Sequence, residues 1–171
     1  MNTTSSQPDR AGRELQGRVA IVTGGARGIG WATVQALVQA GAVPVLLDHD
    51  APALVRAGAA LAAQGVDAMV EDVDITDEAA VDAAFGRIAT RFGRADILVN
   101  NAGIGRRRPT VELSAADWQA VVDVNLTAVF FCSRAVARLM LPGARKSKTT
   151  IGRSFSMHRL TAVASMTLSW S

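Results

Sequence analysis

The sequence predicts a doubly wound α/β fold on a parallel sheet. Three observations predict it. Short apolar runs alternate with longer stretches of helical periodicity between residues 18 and 140. The short runs are continuously apolar rather than alternating, as strands covered on both faces are. A glycine-rich stretch, Thr23-Gly24-Gly25-Ala26-Arg27-Gly28-Ile29-Gly30, follows the first run directly and leads into a helical pattern.

The elements follow in order. Arg18–Thr23 is a β-branched run and the first strand. Ile29–Ala40 carries Ile29, Ala32, Val34, Leu37 and Val38 at helical spacing, and Gly41 closes it. Val43–Leu47 is a second buried strand. Ala51–Ala63 is alanine-rich and helical, ended by Gly65, and Val66–Val73 is a third strand. Thr76-Asp77-Glu78 opens a helix with acids in its first turn, where the helix dipole favours them. That helix runs to about Phe92 and stops at Gly93, and Ile97-Leu98-Val99 is a fourth strand. Ser114, with Asp117 three residues on, resembles a cap and starts a long helix to about Met140, stopped by Pro142-Gly143. There is no internal repeat.

The pattern fails after Pro142. The long helix should lead into a fifth buried strand, but the chain reads Ala-Arg-Lys-Ser-Lys-Thr-Thr-Ile-Gly-Arg-Ser-Phe-Ser. A central strand there would bury charge. The sheet is therefore expected to be incomplete after the fourth strand and the long helix, with a tail that adds no fifth strand in register. Three regions result: a disordered lead over 1–16, the α/β domain over 17–143, and an atypical basic, serine-rich tail over 144–171.

Composition narrows the function classes. The net charge of +3 is unevenly divided. Residues 1–143 hold 13 arginines against all 15 acidic residues, whereas the tail holds five basic residues and no acid. A basic tail is one way to reach nucleic acid, but a reading-frame change or a degraded gene end explains the same composition, and no nucleic acid is expected. The apolar stretch Leu126–Leu141 is broken by Arg134 and Arg138, so no membrane is expected, and the polar N-terminus shows no secretory signal. The single cysteine, Cys132, excludes an internal disulfide, fits a cytoplasmic protein and reads as a core residue. Arg106-Arg107-Arg108 reads as a solvated loop, with an anionic substrate as its alternative.

The glycine loop carries the chemistry. Backbone amides at the start of the helix near Ile29 are placed to receive a pyrophosphate. Gly24 permits the turn, and Gly28 and Gly30 remove side chains that would block the phosphate or the helix–strand contact. Asp48 ends the second strand, 18 residues past Gly30, where a carboxylate accepts hydrogen bonds from a ribose diol and repels a 2′-phosphate. Arg27, inside the loop, argues the other way. Asn101 and Gly103 sit at the end of the fourth strand, where backbone and amide groups can hold a cofactor. Asn125 lies inside a helix, a poor place for asparagine unless the amide has a task or satisfies local backbone.

With the preceding Thr23, the spacing Gly-x3-Gly-x-Gly resembles the short-chain dehydrogenase/reductase family. Asn100-Asn101-Ala102-Gly103 after the fourth strand, Asp74-Ile75-Thr76-Asp77 after the third and Asp123-Val124-Asn125-Leu126 in the long helix agree with it. The resemblance covers about residues 17–143. It implies a Rossmann-like domain and an NAD(P)-dependent oxidoreductase acting between an alcohol and a carbonyl. It assigns cofactor contacts to Thr23, Gly24, Arg27, Gly28, Ile29, Gly30, Asp48, Asp74, Ile75, Asn101, Ala102 and Gly103, and a place in a proton relay to Asn125. NAD is expected over NADP, and no metal.

The family's chemistry also needs a serine and a Tyr-x3-Lys pair. The chain contains no tyrosine. Its stretch from Ser156 to Val163 resembles the one that opens with the family's catalytic serine. Ser169 then stands where the tyrosine belongs, the lysine falls beyond residue 171, and His158 is incidental. The expectation is a C-terminally truncated member, inactive as it stands, whose family forms homo-oligomers. The alternative is a non-catalytic dinucleotide-binding module with a partner-binding tail.

Overall fold

The computed structural model describes residues 13–141 and the backbone of a strand at 163–165. β1 (Val19–Thr23) is buried at all five positions, as its unbroken apolar run requires. β2 (Val43–Asp48) pairs with it in parallel from Val19↔Val43 to Thr23↔Leu47, and β3 (Met69–Asp72) pairs with β2. β4 (Ile97–Asn100) lies on the other side of β1, with Ala20↔Ile97 and Val22↔Val99. The sheet order is β3-β2-β1-β4-β5. The doubly wound parallel sheet is thus as the sequence predicts. The chain leaves β1 towards β2 and returns past it to β4, so the crevice where the order reverses opens beyond their C-terminal ends.

The tail departs from expectation. β5 (Val163–Ser165) pairs in parallel with β4, from Leu98↔Val163 to Asn100↔Ser165, so a fifth strand in register does form. The segment that pairs lies beyond the basic 144–155 stretch and is Val-Ala-Ser, with no ionisable residue. Placing it beside β4 therefore carries no charge into the sheet. Residues 144–155 themselves lie outside the described residues.

Local signals set the helix ends. α1 (Gly28–Gln39) follows the glycine loop. In α2 (Ala51–Ala63) the Asp50 carboxylate accepts from the Ala53 amide, and Pro52 occupies the first turn. In α3 (Glu78–Phe92) Asp77 accepts from the Ala79 and Ala80 amides, and Gly93 ends the helix at φ 67°. In α4 (Ala115–Val122) the Ser114 hydroxyl accepts from the Asp117 amide. A five-residue π turn, Asp123–Thr127, joins α4 to α5 (Ala128–Met140) without a break. The continuous helix, Ala115–Met140, has 26 residues, with a mean hydropathy of 1.5 over an 18-residue window, and is longer than the stretch the sequence singled out. By length and composition alone it is long and apolar enough to cross a membrane. In this fold Ala128, Cys132, Ala135 and Val136 on one side of it are buried.

Two cores sandwich the sheet. On one face Ile21, Val45, Leu47 and Leu98 meet α3 and α5 through Val81, Phe85, Ile88 and Val136. On the other, Ala20, Val22, Leu46 and Val99 meet α1 and α2 through Val34, Leu54 and Leu61. Residues 13–16 form a turn in which the Leu15 amide donates to the Ala40 carbonyl, and Leu15 packs against this second core. Together the cores hold the C-terminal ends of β1, β2 and β4 in fixed relation beneath the crevice.

Candidate functional site

A cleft of about 430 Å³ occupies the crevice, with walls from the β1–α1 loop, the ends of β2 and β3, and the segment after β4. The loop is packed to its limit at two glycines. A Cβ on Gly30 would lie 1.9 Å from the Gly24 carbonyl oxygen, and one on Gly24 would lie 3.0 Å from Asn101 Nδ2. Gly28 differs. Its φ is +54° and nothing lies within 4 Å of the Cβ position, so backbone conformation demands glycine there and leaves open space before the helix. No side chain caps the N-terminus of α1, and no acid lies in its first turn. The first amides of that helix face the crevice with the positive end of the helix dipole, as an anion site requires.

Thr23 ties the two sides together. Its buried hydroxyl accepts from the Asn101 and Ala102 amides at 3.0 and 3.1 Å. Asn101 Nδ2 in turn donates to the carbonyls of Thr23 and Gly24 at 3.0 and 3.1 Å. Thr23 is a brace beneath the cleft rather than a lining residue, whereas Gly24, Arg27, Ile29, Gly30, Asp48, Asp74, Ile75, Asn101, Ala102 and Gly103 all line it. The structure thus brings together on one cleft residues that span 80 positions of sequence.

The acids have distinct tasks. Asp48 is buried, and its carboxylate accepts from the Ala26 amide at 3.1 Å and from the His49 and Asp50 amides at 2.9 and 3.2 Å. It therefore fixes the glycine loop against the end of β2. Asp74 accepts from the Thr76 hydroxyl at 2.7 Å and its amide at 2.9 Å, bonds that hold its carboxyl below the usual carboxylate range.

Asn125 stands in the π turn. Its Oδ1 accepts from the Ile104 amide at 2.9 Å and its Nδ2 donates to the Ile104 carbonyl at 3.0 Å. The amide thus clamps the segment after β4, and a Cβ on Gly103 would lie 3.3 Å from Asn125 Oδ1. Arg106, Arg107 and Arg108 are exposed, and Arg106 pairs with Asp117 at 3.3 Å. Cys132 is buried in the core, where burial pushes its thiol up to about 12, so it is no nucleophile. Ser156, His158, Ser169 and the two lysines lie outside the described residues. The sequence reading overlooked His49, Asp50 and Ile104, and it named Thr76 and Val124 only as members of their motifs. His49, Thr76, Ile104 and Val124 line the cleft, and Asp50 Oδ2 lies 3.5 Å from Arg27 Nη1 at its lip. For His49, Asp50 and Ile104, only their position beside the recognised motifs could have signalled them.

These residues fit a dinucleotide. The uncapped helix end suits a pyrophosphate, and the acid at the end of β2 suits a ribose diol.

Comparison with known proteins identifies the family. The family model described as short chain dehydrogenase matches residues 18–166. The chain is 42% identical over 131 residues to gluconate 5-dehydrogenase of Gluconobacter oxydans, covering 77% of this chain and 51% of that protein. It is 42% identical over 139 residues to galactitol 2-dehydrogenase of Rhizobium johnstonii, covering 81% and 54%. Among solved structures, an NAD+-bound xylitol dehydrogenase superposes with a TM-score of 0.71 at 35% identity, over 74% of this chain and 49% of that one. A metagenomic short-chain oxidoreductase in complex with NADP superposes with a TM-score of 0.69 at 37% identity, over 74% and 57%. The chain spans about half the length of the curated relatives it matches.

Proposed function

The chain belongs to the short-chain dehydrogenase family, and we propose that it binds a nicotinamide dinucleotide at the β1–α1 loop, NAD in preference to NADP. The observation that carries this reading is the uncapped N-terminus of α1 beside a buried Asp48. The first amides of α1 would hold the pyrophosphate. Asp48 would accept from the adenosine ribose, and its charge would oppose a 2′-phosphate. Asp74 and Ile75 would border the adenine, and Asn101 to Gly103 the segment leading towards the nicotinamide.

When bound, such a cofactor supplies a hydride acceptor or donor for interconverting an alcohol and a carbonyl, the reaction class we propose by family for the whole protein. The named relatives act on polyols and sugar acids, which makes a small polyol or its ketone the first substrate class to try. Proton transfer is where these 171 residues fall short. They contain no tyrosine, the group that would exchange a proton with the substrate oxygen, and general acid–base help is worth about 10²–10⁴-fold in rate. Asn125 spends both halves of its amide on Ile104, so its part is to shape the floor of the site. We therefore propose that these 171 residues bind the cofactor without themselves supplying turnover, in a cytoplasmic protein. Calorimetric titration of NAD and NADP into the wild type and Asp48→Asn tests the reading. Tighter NAD binding by the wild type, and a narrowed gap in the variant, are expected. Failure of both cofactors to bind would overturn it.

A further inference from the structure

Arg27 and Asp50 face each other across the lip of the cleft, between the glycine loop and the start of α2. Arg27 Nη1 lies 3.5 Å from Asp50 Oδ2. The Arg27 side chain is 65% exposed and that of Asp50 is 28% exposed. The Asp50 carboxylate is divided between two tasks, because its Oδ1 accepts from the Ala53 amide at 2.9 Å and caps α2. Asp48, two residues away, is committed instead to three backbone amides. Of the two acids at this end of β2, only Asp50 engages the guanidinium.

We propose that Asp50 is a specificity-determining residue that tethers Arg27 and so withholds the arginine from a 2′-phosphate on the adenosine ribose. The inference rests on the cofactor reading above. The argument is electrostatic. Arg27 is the cation of the glycine loop and lines the cleft that Asp48 also lines. A guanidinium pairs with phosphate through parallel N–H donors when it is free to turn. Held by Asp50, it presents a neutralised pair, and a 2′-phosphate must break that pair before it gains the contact. NAD carries no phosphate at this position and is indifferent to the tether. The preference for NAD therefore has two parts, direct repulsion by Asp48 and sequestration of Arg27 by Asp50. An exposed pair of this kind is weak enough for one substitution to release it.

Two substitutions isolate the tether. Asp50→Asn and Asp50→Ser each remove the charge and keep an oxygen able to cap α2, so one serves if the other fails to fold. Affinities of the full chain for NAD, NADP and 2′,5′-ADP are measured by calorimetry at one pH and low ionic strength. NADP and 2′,5′-ADP should bind about three- to tenfold more tightly to either variant than to the wild type, with NAD unchanged within about twofold. In an Arg27→Ala background the same substitution at Asp50 should improve NADP binding by less than about twofold. NAD binding with no gain for NADP in either Asp50 variant, or a gain that persists without Arg27, overturns the tether and leaves the cofactor reading standing. Absence of binding by all three ligands to the wild type overturns the cofactor reading and the tether with it.

Discussion

Alanine substitutions at Gly30 and Gly28 should separate packing from binding, although both glycines belong to one loop. A Cβ at Gly30 would lie 1.9 Å from the Gly24 carbonyl oxygen and 2.6 Å from Asn101 Nδ2, where real Cβ atoms keep about 3.0 Å. The Gly24 backbone must retreat by about 1.1 Å. That retreat breaks the bonds from Asn101 Nδ2 to the carbonyls of Thr23 and Gly24, at about 1 kcal/mol each. Overpacking adds about 1–3 kcal/mol, so Gly30→Ala should cost about 3–5 kcal/mol, a large share of the about 5–15 kcal/mol that holds a domain folded. Gly28→Ala meets no atom within 4 Å and pays only for a left-handed φ of +54°, about 1–2 kcal/mol. Its methyl would stand in the open space before α1, however, and NAD affinity should fall at least tenfold. Urea unfolding followed by circular dichroism gives the first quantity, and calorimetric titration with NAD the second. Equal destabilisation by the two substitutions, or wild-type NAD affinity in Gly28→Ala, would refute the reasoning.

Other consequences are open to direct measurement. Burial pushes the Asp96 carboxyl up, but Arg94, the Val19 amide and Arg18 outweigh it and hold it below the usual carboxylate range. A depressed folded value means that the contribution of Asp96 is present above the unfolded value of about 3.9 and is lost as pH falls through the folded one. The stability gap between wild type and Asp96→Asn should therefore be constant from about pH 5 to 8 and close below about pH 4, and a gap that widened in acid would count against the ion pairs. Cys132 should resist thiol reagents in the native state and react at the rate of unfolding, so rapid labelling without denaturant would contradict its burial. Asn125→Ala should raise hydrogen exchange at the Ile104 amide at least about fivefold with little change in overall stability, and an unchanged rate would mean that the clamp does not hold that segment. Nicotinamide absorbance should show no turnover with small polyols or their ketones, and a rate that responds to substitutions at Asn125 would reverse that expectation.

Features that depend on residues close in sequence were legible, and those created by tertiary approach were not. Thr23 to Gly30 announces its loop because a strand, a turn and a helix end are all encoded within eight residues. Asp48 is readable because it ends a buried strand at a fixed distance from that loop. Asp50, by contrast, carries no signal in the sequence pattern, since its approach to Arg27 depends on how α2 settles against the sheet. The π turn at Asp123–Thr127 leaves no mark in the hydrophobic pattern, so Ser114 to Met140 reads as one uniform helix. The partner of Asn125 is 21 residues away on a segment without periodicity. β5 is not legible because it is only three residues long, Val163–Ser165, too short to show a strand periodicity, and its place is set by pairing with β4.

The brace formed by Thr23 has a thermodynamic consequence. Because its hydroxyl and the Asn101 amide already join the two walls of the crevice, a ligand entering there finds them prearranged and loses little conformational entropy in ordering them. Binding should accordingly show a heat-capacity change set by the surface it covers, with no excess from folding of the loop. Thr23→Val keeps the shape and removes the hydroxyl. It would leave the walls to be assembled by the ligand, and the same complex would then form with a larger entropic penalty and at a slower rate.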